Sequence, residues 1–132
     1  MFQSPELKAA AREVVEYWQH HGHRLRLGPT HVVLEAPGPA VSGIRTVVAV
    51  YADGRVLVPF SSYAGTNSGI AIPALTTDEF RGAAYLLFGF SGSERQARTA
   101  PGWLTPERVQ SLIQFCAQVA MAYKEANSTG DV

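Results

Sequence analysis

Two short polar segments hold most of the side chains that could do chemistry. Phe60-Ser61-Ser62-Tyr63-Ala64-Gly65-Thr66-Asn67-Ser68-Gly69 concentrates hydroxyls, an amide and two glycines. Glycine lets main chain approach a ligand closely, and successive N–H groups with Ser and Thr hydroxyls can cradle an anion or a sugar. Gly89 to Thr99 brings Arg95 and Arg98 into a Gly/Ser-rich stretch, and the planar guanidinium fork matches phosphate and carboxylate geometry. Trp103 could stack a base or sugar, although packing over the start of the next helix explains it more simply. Ser61, Ser62, Tyr63, Thr66, Asn67, Ser68, Arg95, Arg98 and Trp103 are therefore the expected ligand contacts of a non-catalytic binding or regulatory module. The expected ligand is a small anion, a nucleotide among the options.

Two other readings compete. A hydrolase acting on a phosphate or ester would need His23 or His31 within hydrogen-bond reach of a loop hydroxyl. A structural oligomer would need no small ligand at all. Gly89-Phe90-Ser91-Gly92-Ser93 falls one glycine short of a nucleophile elbow and lacks the preceding strand. Glu16 and His20 lie one helical turn apart beside His21 and His23, but no H-E-x-x-H or Cys set accompanies them, and a polar face with a helix cap accounts for all four. Cys116 falls within an apolar stripe and reads as an inert thiol. There is no G-x-x-x-x-G-K phosphate loop, and the only lysines are Lys8 and Lys124. No catalytic residue, metal or cofactor is expected.

The elements that would position these segments centre on a hairpin. In Ile44 to Phe60 the dipeptide Asp53-Gly54 separates two β-branched runs, the pattern of a two-residue type I′ turn. That turn pairs Tyr51 with Val56, Ala49 with Val58 and Val47 with Phe60, leaving both faces apolar. The expected cover is helices on one face and another subunit on the other. Pro59 cannot donate to a ladder, so the second strand ends there. Upstream, Ser4-Pro5-Glu6 starts a helix whose stripe is Leu7, Ala11, Val14, Val15 and Trp18. Arg24–Leu27 and residues 31–36 alternate as half-exposed strands, with Arg24 and Arg26 projecting together.

Downstream, Thr76-x-x-Glu79 supplies a capping box for a helix that is apolar over most of its circumference through Phe80, Ala83, Ala84, Leu86, Leu87 and Phe88, with Gly82 allowing close approach. Residues 89–103 read as irregular. Thr105-Pro106-Glu107 opens a last helix with the stripe Val109, Leu112, Ile113, Cys116, Val119, Ala120 and Tyr123. The order α-β-β-β-β-α-α predicts an α+β fold, a four-stranded antiparallel meander with helices on one face. Residues 1–126 form one domain and 127–132 a frayed tail.

At 132 residues the chain can bury one core without a disulfide or metal. Charged residues are 17%, against about 25% in an average domain, so part of the surface is expected to serve as an interface of a homo-oligomer. Eleven basic residues balance eleven acidic ones, which argues against a molecule-wide attraction to nucleic acid or anionic membrane. No apolar run approaches membrane length, and the single Cys116 suits a reducing, cytoplasmic setting.

Overall fold

Ser4 caps the first helix as its residue type predicts: its Oγ accepts the N–H of Leu7 at 3.1 Å, and helix α1 (Pro5–His20) follows with proline at its start. The computed structural model describes residues 2–39, 43–65, 70–90 and 97–130, with side chains as far as Ala126. After α1 come strands β1 (Arg24–Leu27), β2 (His31–Pro37), β3 (Ile44–Tyr51) and β4 (Val56–Val58). The short helix α2 (Phe60–Tyr63), helix α3 (Asp78–Phe88), the two-residue strand β5 (Ala97–Arg98) and helix α4 (Val109–Gly130) complete the chain.

The fold is α+β, and the sheet has five antiparallel strands in the order β1-β2-β3-β4-β5 rather than four. The added strand lies where irregular chain was expected. Val58 pairs with Ala97 and Leu57 with Arg98, and Thr99 continues the ladder by exchanging hydrogen bonds with Val56. A two-residue strand leaves too little alternation to be read from sequence.

The central hairpin forms, but its register is shifted by one residue. Ala49 pairs with Leu57 and Val50 with Val56. Tyr51 N–H donates to the Arg55 carbonyl, so the loop has three residues. Gly54 alone takes positive φ (+88°) and Asp53 does not, which makes this a type I turn closed by a glycine bulge rather than type I′. The turn is held from outside: Gly102 N–H donates to Asp53 O and Leu104 N–H to Gly54 O. A Cβ on Gly54 would stand 3.0 Å from Gly102 Cα, so docking and φ both demand glycine.

All four helices pack on one face. Val32, Leu34, Val48, Val50, Val56 and Val58 meet α1 and α4 there in one core. The opposite face has a small buried apolar centre, where Val33, Ala49 and Leu57 are sealed by side chains of the same chain, Tyr51 foremost. Those three residues leave water without a second subunit. The stripe on α4 is buried as its spacing predicts, Ala120 only partly, but two expectations for α3 are corrected. Its cap is Thr77, accepting from Phe80 N–H, one residue later than expected. Its apolar circumference is not enclosed: Phe80, Ala84 and Phe88 are buried, whereas Leu86 is 89% exposed and Gly82 has nothing within 4 Å of its Cβ position. Only one side of α3 meets the core, because the sheet is already covered by α1 and α4. At the C-terminus α4 continues through Gly130.

A β-bulge governs the end of the sheet nearest the polar segment. Leu34 pairs with Val48 but Glu35 with Thr46, leaving Val47 as the extra residue on β3. Extending the β3–β4 register by two residues would set Pro59 against Val47, and proline has no N–H to give. The Tyr63 hydroxyl donates to Val47 O instead, and Tyr123 Oη donates to Thr46 O at 2.7 Å. Tyr63→Phe leaves that buried carbonyl without a donor and is expected to lower unfolding stability by about 1–3 kcal/mol, read from the urea midpoint at unchanged slope.

Candidate functional site

The bulge reverses which side chains of β3 point inward. Ala49 faces the bare side of the sheet, yet Arg45, four residues earlier, faces the helices and is only 3% exposed. Its Nη1 donates to Ile70 O at 2.8 Å, its Nη2 donates to Ser62 O, and its guanidinium stands 5.2 Å from the Tyr123 ring centre. Arg45 Nε has no hydrogen-bond partner, and among the described residues no carboxylate pairs with this cation. Main-chain dipoles and one aromatic face stand in for a counter-ion. The two carbonyls it grips flank the Gly/Ser-rich stretch, and Ile72 N–H donating to Tyr63 O closes the same stem.

The phenols beside it are correspondingly displaced from ordinary acidity. Burial pushes Tyr123 up to about 12, with the Arg45 cation and hydrogen bonds from Arg45 and Ser62 opposing the rise. Burial also pushes Tyr63 well up, and Tyr123 and Cys116 alongside add to it. Cys116 is raised by burial alone, which makes it a packed thiol rather than a nucleophile.

Among the described residues the expected ligand contacts lie apart. Ser61 and Tyr63 are buried in α2, with Tyr63 packed against Phe80 and Tyr123. Ser62 gives its carbonyl to Arg45. Arg98 lies on the other side of the sheet, opposite Leu57 and 5.7 Å from the Tyr51 ring centre. Trp103 is buried against Phe88, beneath Arg108. Thr66, Asn67, Ser68 and Arg95 lie outside the described residues, as does Ser91. The cause is the sheet itself: α2 folds back over the helix-covered face while β5 presents Arg98 from the bare one. His23 and His31 form no hydrogen bond with any described hydroxyl; His23 stacks on Trp18 and His31 tilts against Tyr51. Among the described residues no three His, Cys, Asp or Glu side chains converge to hold a metal, and no helix is long and apolar enough to cross a membrane.

A cavity of about 580 Å³ opens instead where the end of α1, the end of β2 and the second half of α4 meet. Trp18, Ala36, Ala117 and Ala120 form its walls, and Tyr17, His21, His23, Met121 and Lys124 its rim. Trp18 is fixed by its Nε1, which donates to Arg24 O and Glu35 O, both at 3.1 Å. The His23 ring stacks on Trp18 at 4.2 Å, and the His21 ring on Tyr17 at 4.0 Å. From α4 the contributors recur at positions 117, 120, 121 and 124, a second stripe beside the buried one. That spacing was present in the sequence, but two alanines, a methionine and a lysine give no hydrophobic contrast by which to pick it out. The histidines stand out in the sequence, but a helix cap accounts for them equally well.

No protein-family model, no curated protein and no solved structure matches this chain.

Two measurements test this geometry. Arg45→Met removes the guanidinium that ties the carbonyls of Ser62 and Ile70 to the core, and its urea midpoint should report a loss of about 2 kcal/mol. Burial, and secondarily His21, hold the His23 pKa below its usual 6.5. The unfolded chain then takes up the proton more readily than the folded one, so His23 contributes stability above pH 6.5 that is lost as pH falls through that value toward the folded pKa. Urea midpoints should drop between about pH 7.5 and about pH 5.5, and His23→Gln should flatten the drop.

Proposed function

We propose that the protein is a non-catalytic small-ligand-binding module whose ligand is a compact amphipathic anion. The observation that supports this reading is the cavity of about 580 Å³ with apolar walls and a basic rim. Its size falls inside the range of ligand sites, about 300–1,000 Å³. The two alanines of α4 offer an apolar wall and room for an aromatic or branched aliphatic body, beside the His23 ring that covers Trp18. Lys124 and His21, both exposed, offer charge and donors to a carboxylate or phosphate at the mouth. Nothing at this rim supplies a paired nucleophile and base, so binding rather than turnover is the chemistry it supports.

The anion in this reading lies beside Lys124 rather than between Ser62 and Arg98. The hydroxyl-rich segment keeps a supporting role, its stem tied to the core by Arg45. A thermal-shift series with octanoate, 1-naphthoate and indole-3-acetate, each paired with its neutral amide, tests the proposal. A carboxylate at a hundredfold excess over its Kd should stabilise the fold by about 2.7 kcal/mol, with little effect from the amide. Lys124→Ala should weaken that carboxylate about tenfold. Equal shifts for acid and amide, or none from any compound, would remove the proposal.

A further inference from the structure

The geometry points to the bare face of the sheet as a docking surface for single-stranded nucleic acid, a role independent of the groove between α1 and α4. Alternation along each strand collects specific side chains on that face. Arg26 stands opposite Val33, and Arg24 two residues away shares its side; His31 stands opposite Tyr51, and Arg98 opposite Leu57. Arg55 joins them from the end of the hairpin, its guanidinium 5.3 Å from the Tyr51 ring centre, with that of Arg98 at 5.7 Å. Arg55, Arg98 and His31 thus gather around a single tyrosine, and Arg24 and Arg26 share its face two strands away.

Among the described residues two carboxylates pair with them. Glu35 accepts from Arg26 Nε at 3.3 Å, and Asp53 lies 2.8 Å from Arg55 Nε. Arg24 and Arg98 have no ion-pair partner among the described residues. The whole chain balances eleven basic against eleven acidic residues, yet the described part of this face carries these four arginines against two carboxylates. The overall neutrality that argues against nucleic acid therefore conceals a segregation of charge. A positive face with low charge elsewhere attracts polyanions locally without drawing in the whole molecule.

Charge alone would suit any polyanion; the aromatic centre narrows the choice. Bases freed from a duplex stack on exposed aromatic rings and on guanidinium planes of an open sheet, while arginines at the margin take phosphates. Tyr51 is partly exposed at the hairpin end of the central strand β3, and the ring of His31 lies 5.3 Å away at 37°. Arg98, exposed on β5, moves off the tyrosine ring to meet a phosphate as a base takes its place. Arg24 and Arg26 receive the backbone on the far side of the sheet, four strand spacings or about 19 Å away. A second copy of this chain does not suit the surface, because two such faces would bring arginine against arginine. A duplex does not suit it either, since its paired bases offer no free ring face to Tyr51.

Fluorescence anisotropy with a labelled oligouridylate of about ten residues, at low salt and then across a salt series, tests the inference on the full chain. Binding is expected to weaken with salt at a slope of about −0.7 per phosphate contacted. Arg98→Ala and the Arg24→Ala, Arg26→Ala pair should each shallow that slope. Tyr51→Leu keeps an apolar cover over Val33, Ala49 and Leu57 yet removes the ring, and should weaken binding about tenfold, a stacking loss of about 1.4 kcal/mol. Melting temperatures of the variants, with the groove variant Lys124→Ala as a control that should bind normally, separate loss of contact from loss of fold. Absence of binding at low salt would overturn the inference. So would equal affinity for duplex RNA or polyglutamate, or full affinity in a folded Tyr51→Leu.

Discussion

One extra residue in β3 governs the polar half of this molecule. Strand side chains alternate with period two, so the bulge at Val47 moves every residue before it to the other face. Without it Arg45 would point into solvent from the bare side. With it a guanidinium is carried into the core, where desolvation penalises the charge unless donors are satisfied. The acceptors available there are the carbonyls of Ser62 and Ile70, and they belong to the stem of the Gly/Ser-rich stretch. Burying Arg45 and fixing that stem are thus one event. Tyr63 and Tyr123 complete it by donating to Val47 O and Thr46 O, which β4 no longer serves once Pro59 turns the chain away.

The same sheet separates two surfaces with different chemistry. On the covered side, α1 and α4 diverge from the end of β2 and leave a groove walled by Trp18 and small residues of α4. Among the described residues no helix covers the bare side, and the few apolar residues at its centre are shielded by side chains, Tyr51 foremost. Shielding by arginine and tyrosine differs from shielding by a helix, because those side chains can move aside while keeping their charge near the surface. Each surface can therefore be altered without disturbing the other: Lys124 and Met121 are far in the chain from Tyr51 and Arg98, and the sheet lies between them.

The central hairpin shows where local signals stop. Asp53-Gly54 marks a turn, and a turn is there, but a two-residue and a three-residue loop differ by one residue of register. That difference was decided by Gly102 and Leu104, which bond Asp53 O and Gly54 O from nearly fifty residues away. The run of Phe80 to Phe88 similarly looks enclosed from its composition, yet Leu86 stands in solvent because α1 and α4 already occupy the sheet. Apolar content measures what a helix could bury, and its neighbours determine what it does bury.

By itself the sequence determined the class of fold, the ends of α1, the inward stripe of α4 and the inert character of Cys116. Each follows from residues within a turn or two of one another, where capping and periodicity act. Only the tertiary structure decided that Ser62 and Arg98 lie on opposite sides of the sheet, that Arg45 is buried, and that His21, His23 and Lys124 share a groove. Those outcomes depend on a bulge and on chain crossings that bring distant residues together. A one-residue change of register inverts a strand's facing without changing its composition, so no local count of residue types can reveal it.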